Sequence, residues 1–150
     1  MAKLFQLLSL IKFEHTIFAL PFALAAAVIA AHGVPAWATL GWIVLAMVGA
    51  RSSAMGFNRI ADRFIDAKNP RTASRELPAG TVKLWEAWAL VVVATLVFIF
   101  AAAMLNPLAF SLSPVALLII FGYSYAKRFT ALSHIILGLA LAIADRKSVV

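Results

Sequence analysis

The sequence predicts an all-α fold, a polytopic transmembrane helix bundle, and three observations carry that expectation. Of the 150 residues, 64% are apolar and only 13% charged, whereas a soluble domain of this size carries about a quarter charged residues. The apolar residues come in runs long enough to span a bilayer as helices, not in the alternation of a transmembrane β-barrel. The basic residues fall on alternate connections between those runs, the pattern of a multi-pass protein with a cytoplasmic N-terminus.

About four complete spans and a truncated fifth are expected. The first runs near Thr16–Ala31, with Pro21 removing a backbone donor in mid-span and expected to kink it. It has no convincing small-residue cleavage site and further spans follow, so it reads as a retained helix and not a signal peptide. Gly33-Val34-Pro35 turns the chain into a second span, Trp37–Phe57. A third, Leu84–Leu105, is followed by the turn signal Asn106-Pro107 and a fourth, Pro107–Tyr125. The fifth apolar stretch, Ala131–Ala144, is too short to cross. Trp37, Trp42, Trp85 and Trp88 stand near span ends, where indole rings anchor at the interface.

The net charge of +7 follows this topology. Lys3 and Lys12 precede the first span, seven basic residues from Arg51 to Lys83 cluster around the second connection, and Lys127 and Arg128 follow the fourth span. Topology therefore explains the basic excess, and no nucleic-acid partner is expected. With no cysteine in the chain, disulfides, thiolate metal sites and cysteine nucleophiles are excluded.

The segment Asn58–Asp66 is the chemical centre of the sequence. Continued from the second span as one helix to Asp66, it carries its carboxylates into the cytoplasmic interface. Asp62 and Asp66 are four residues apart and share a helix face, and Asn58 extends that stripe by one turn. Two carboxylates and an amide oxygen are hard donors suited to Mg²⁺ that also binds a phosphate-bearing ligand. The loop that follows carries Lys68, Arg71 and Arg75 among Pro70, Pro78 and Gly80. Arginine forks bind phosphate oxygens. Carboxylates for a metal beside cations for phosphate are the parts of a diphosphate site.

These residues resemble the UbiA superfamily of intramembrane aromatic prenyltransferases. The resemblance rests on Asn58-x-x-x-Asp62-x-x-x-Asp66, on Arg71-Thr72-Ala73-Ser74-Arg75-Glu76-Leu77-Pro78-Ala79-Gly80, and on Tyr123-x-x-x-Lys127-Arg128 after the fourth span. It runs from the Lys12–Phe22 segment to about Ala144. It implies Mg²⁺-dependent transfer of a polyprenyl group from polyprenyl diphosphate to a phenolic aromatic acid. The acceptor implied first is 4-hydroxybenzoate, in ubiquinone biosynthesis, and the setting is the bacterial inner membrane with the active site on its cytoplasmic side. By carry-over, Asn58, Asp62 and Asp66 hold the metal-diphosphate and are the catalytic and metal residues. Arg71, Arg75, Lys127, Arg128 and Tyr123 are the implied substrate-binding residues. Phe57, Phe64, Tyr123 and Tyr125 are candidate shields for a carbocation, although packing is the commoner role of such rings.

The family's second aspartate-rich motif has no counterpart in these residues, and Asp145 stands alone. The chain is accordingly expected to be the N-terminal part, residues 1–150, of a single UbiA-like domain, inactive alone and with residues 145–150 of doubtful origin. A dihydroxynaphthoate acceptor in futalosine-route menaquinone synthesis is the alternative within the family. Outside it stand a CDP-alcohol phosphotransferase, for which Ala50-Arg51 is present but the Asp-Gly pair is not, and a transporter. Arg51, inside the second span, either snorkels or faces a cavity. Glu14 and His15 read as helix-end residues, and His134 as structural.

Overall fold

A computed structural model describes residues 2–129 as five helices and their connections, with no strand among the described residues. The fifth apolar stretch, His134 and Asp145 lie outside the described residues, as do the side chains of His15, Lys127 and Arg128. The helices are α1 (Ala2–Leu10), α2 (Phe13–Ala30), α3 (Trp37–Lys68), α4 (Leu84–Leu105) and α5 (Pro107–Phe129).

The expected spans map onto α2 to α5, with one qualification. α3, α4 and α5 are long and apolar enough to cross a membrane, while the apolar part of α2, Thr16–Ala30, is shorter. α2 is one helix through Pro21, and α5 is one helix through Pro114. The short α1 was not anticipated. Its signal is the i, i+3, i+4, i+7 spacing of Leu4, Leu7, Leu8 and Ile11. Lys12, at φ 50°, breaks the chain between α1 and α2, and His32, also at φ 50°, follows the end of α2. Left-handed residues terminate helices in this way.

The turn from α4 to α5 is built by its own sequence. Asn106 accepts a 2.7 Å hydrogen bond from the Ala109 backbone N–H through its side-chain oxygen, capping a helix whose first residue is Pro107. At the start of α4, Glu86 accepts from the Lys83 N–H at 2.7 Å, satisfying another donor at a helix start.

α3 packs most extensively against α4. The contact runs along a small-residue face of α3, where Gly49, Ser52, Ser53 and Gly56 are buried. At Gly49 a β-carbon would lie 2.8 Å from the Phe98 backbone N and 2.9 Å from the Ala94 carbonyl oxygen. Close backbone approach across small residues is the usual means by which helices associate in lipid. The outward faces stay greasy: Leu96, Leu118, Val93 and Phe100 are exposed.

The main apolar core lies at one end of the bundle. Leu10, Ile60, Val82, Ala87 and Val91 are buried together there, with Leu7 and Leu77 packed against them. This core joins α1, the end of α3, the α3–α4 connection and the start of α4. It therefore supports the charged segment directly.

Candidate active site at the end of the long helix

α3 is a single helix of 32 residues, about 48 Å at 1.5 Å per residue. As the sequence implied, it runs without interruption from the apolar span through Asn58, Asp62 and Asp66. Successive members of this stripe are about 6 Å apart along the axis. Asp66 is buried, and Asn58 and Asp62 are half-buried.

The connection after α3 folds back over the last turn. Thr72 is buried and donates its hydroxyl to the Asp66 carbonyl at 2.9 Å, and the Asn69 N–H donates to the same carbonyl at 3.3 Å. Asn69 also accepts from the Arg71 N–H through its side chain at 3.0 Å. These bonds cap the helix and turn the chain so that Arg75 comes back over Asp66. Its Nη1 lies 2.8 Å from both carboxylate oxygens. Gly80, at φ 73°, supplies a left-handed turn near the end of the connection.

The expected cations do not all converge. Arg75 meets Asp66, whereas Arg71 and Lys68 are exposed. Arg63 donates to the Ile60 carbonyl at 2.8 Å and stacks over the Phe64 ring at 4.1 Å. Lys127 and Arg128 fall at the end of α5, with Lys127 one turn beyond Tyr123.

A groove of about 490 Å³ between α3 and α5 gathers the remaining polar groups. Arg51, Met55 and Asn58 line one side, and Ile120, Tyr123 and Ser124 the other. Asn58 and Tyr123, separate in sequence, are thus brought to one cavity. Arg51 joins them, and its Nε is buried without a hydrogen-bond partner among the described residues. The sequence held the signal for Arg51: an ionisable residue inside an apolar span faces a cavity or a polar pathway by default.

The four candidate aromatic shields separate. Tyr123 lines the groove with Asn58. Phe57 is packed with Trp88, Phe121 and Tyr125 at centroid distances of 6.0, 4.5 and 5.8 Å. Phe64 is exposed beneath Arg63.

The fold and this acidic-basic cluster at a helix end define a multi-pass helical membrane protein with a polar site at one end of its bundle. The sequence model of the UbiA prenyltransferase family matches residues 19–144, and the chain belongs to that family. Among its curated relatives, a protein of Vibrio parahaemolyticus named 4-hydroxybenzoate octaprenyltransferase is 38% identical over 117 residues, covering 78% of this chain and 41% of the relative. One of the same name from Burkholderia ambifaria is 38% identical over 112 residues, covering 75% and 39% respectively. The chain thus spans about two fifths of the length of these curated relatives. A solved structure, the apo form of a UbiA homolog from Aeropyrum pernix K1, superposes with a TM-score of 0.78 at 44% identity, covering 85% of this chain and 46% of that one.

Proposed function

We propose that this protein takes part in transferring a polyprenyl group from polyprenyl diphosphate to 4-hydroxybenzoate, in ubiquinone biosynthesis at the cytoplasmic face of the bacterial inner membrane. The observation that carries this reading is the adjacency of two polar sets. Asp66 pairs with Arg75, Asp62 stands one turn back on the same helix, and Asn58, Arg51 and Tyr123 line a groove that starts one turn further on. The names of the relatives supply the acceptor.

In this reading the allylic C–O bond breaks and its electron pair leaves with the diphosphate. The allylic carbon then bonds to a ring carbon ortho to the phenol oxygen, which loses its proton. The leaving group is the stronger charge, and Arg75 and Arg71 are the cations that stabilise it, with Lys127 and Arg128 from the end of α5. Asp62, Asp66 and Asn58 are the residues for Mg²⁺. They fit it as donors, because all three are hard oxygen ligands on one stripe of a rigid helix. Bound there, the metal would neutralise diphosphate charge as a Lewis acid. Asp66 is engaged by Arg75 without ligand, so the two groups keep each other's charge satisfied until substrate is present. The half-buried Arg51 guanidinium is matched to the acceptor carboxylate, with the neighbouring Asn58 and Tyr123 available to orient the ring. The basic residues on the connections favour a cytoplasmic site.

The test is a product assay with the full-length protein in membranes, supplied with a polyprenyl diphosphate, Mg²⁺ and either acceptor. A prenylated 4-hydroxybenzoate supports the reading. Prenylation of a dihydroxynaphthoate alone transfers it to the menaquinone route, and no product with either acceptor overturns it. Within the same assay, Arg51→Gln raises KM for the aromatic acid about tenfold, because its carboxylate loses a charged partner, and changes KM for the diphosphate little. Equal rises in both constants would remove Arg51 from the acceptor site.

A further inference from the structure

We propose that α1 is a strap holding the α3–α4 connection against the aspartate-bearing helix, and that Ser9 and Arg59 are positioning residues for Arg71 and Arg75. The inference rests on the reading above for its catalytic consequence, but its geometry is independent of it.

The connection, residues 69–83, consists of turns and bends, so its shape depends on ties to its surroundings. Its side-chain ties to α3 include the Asp66–Arg75 pair and Thr72 at the Asp66 carbonyl. Asp66 and Arg75 are themselves proposed ligand-binding groups. Any ligand that draws on either member opens that pair when the connection most needs to hold its shape.

Two side-chain hydrogen bonds reach the connection from α1. Ser9 donates its hydroxyl to the Glu76 carboxylate, and Lys3 donates to the Thr81 carbonyl at 3.0 Å. Lys3 also pairs with Glu86 in the first turn of α4 at 2.8 Å. Leu10, fully buried, packs in the core with Val82 from the end of the connection and Ile60 from α3. None of these groups belongs to the proposed ligand site, so none is surrendered on binding.

Arg59 secures the other end of the strap. It is buried on α3 between Asn58 and Asp62, and its Nε donates to the Leu10 carbonyl at 3.3 Å. That carbonyl ends α1 and has no helical partner of its own. The Arg59 guanidinium is also within electrostatic reach of Arg75, Glu76, Asp66 and Asp62. One buried cation thus ties the end of the strap to the helix that carries the metal-binding stripe.

The test uses the full-length protein in lipid with two readouts. One is KM and kcat for the prenyl diphosphate, and the other is amide hydrogen exchange across residues 71–82. Ser9 is exposed, so Ser9→Ala leaves the fold intact. It is expected to raise KM for the diphosphate about fivefold, with kcat changed less than about twofold, and to speed exchange in the connection. Ser9→Thr restores the hydroxyl and both readouts. Arg59→Lys keeps the charge but loses the Nε donor at its present geometry, and is expected to move both readouts in the same direction. Unchanged exchange in both Ser9→Ala and Arg59→Lys overturns the strap. A wild-type protein that transfers no prenyl group overturns the functional reading instead, while hydrogen exchange still decides the strap.

Discussion

Replacing either carboxylate of the stripe, Asp62→Ala or Asp66→Ala, is expected to reduce prenyl transfer by the full-length protein at least about a hundredfold, the scale of removing a principal electrostatic stabiliser. The two substitutions differ in a second way. Asp66 is buried, and both its oxygens hold Arg75. Its removal therefore also frees an arginine that is two-thirds covered and loosens the connection, whereas Asp62→Ala leaves that pair in place. Loss of activity should accordingly come with faster exchange across residues 71–82 in Asp66→Ala and not in Asp62→Ala. Turnover near that of the unaltered protein, in membranes holding equal amounts of each, would show that the stripe does not bind the diphosphate.

The second large effect is on folding. Gly49→Leu is expected to destabilise the bundle by about 3 kcal/mol, at the upper end of the cost of overpacking. The reason is that its side chain meets backbone and not a movable side chain. The β-carbon alone would stand within 2.9 Å of the Ala94 oxygen and 2.8 Å of the Phe98 nitrogen, so α3 and α4 must separate along their main contact. Thermal unfolding in detergent reads this directly. Gly41→Ala is the matched control, since a β-carbon there meets nothing within 4 Å, and a helix-interior Gly→Ala exchange is neutral or favourable by up to about 1 kcal/mol. A Gly49→Leu protein as stable as the control would mean that the α3–α4 contact is looser than described.

Much of this architecture was legible from the sequence because bilayer thickness constrains it so strongly. Leu84–Leu105 has the predicted bounds, and Asn106-Pro107 gave the next helix both a capping side chain and a favourable first residue. Continuity of the second span into Asn58–Asp66 is consistent with the absence of proline between Trp37 and Lys68. What was not legible depends on tertiary contact. α1 is only 9 residues long, too short to be stable alone, and it exists by packing Leu10 against Ile60 and Val82. Pro21 and Pro114 both lie inside continuous helices.

The site was legible in type more than in arrangement. The helical period put Asn58, Asp62 and Asp66 on one stripe, and the structure carries them there. Sequence spacing could not say that Arg75, and not Arg71 or Lys68, would return to Asp66, because that choice is made by Thr72 and Asn69 closing on one carbonyl. Nor could it join Tyr123 to Asn58, which required α5 to lie along α3. Phe57 shows the limit of local reasoning most clearly. It is the immediate neighbour of Asn58, yet the helical turn of about 100° per residue carries its ring into the packing against Trp88 and Phe121.

The most direct measurement is Mg²⁺-dependent diphosphate release by the full-length protein in membranes, with 4-hydroxybenzoate and a polyprenyl diphosphate. Unaltered protein, Asp62→Ala and a chelator-treated sample should be run side by side. Release that requires both the metal and Asp62, matched mole for mole by prenylated acid, is the predicted result. Equal release from the Asp62→Ala protein, or release undiminished by the chelator, would contradict a metal-diphosphate site on this helix.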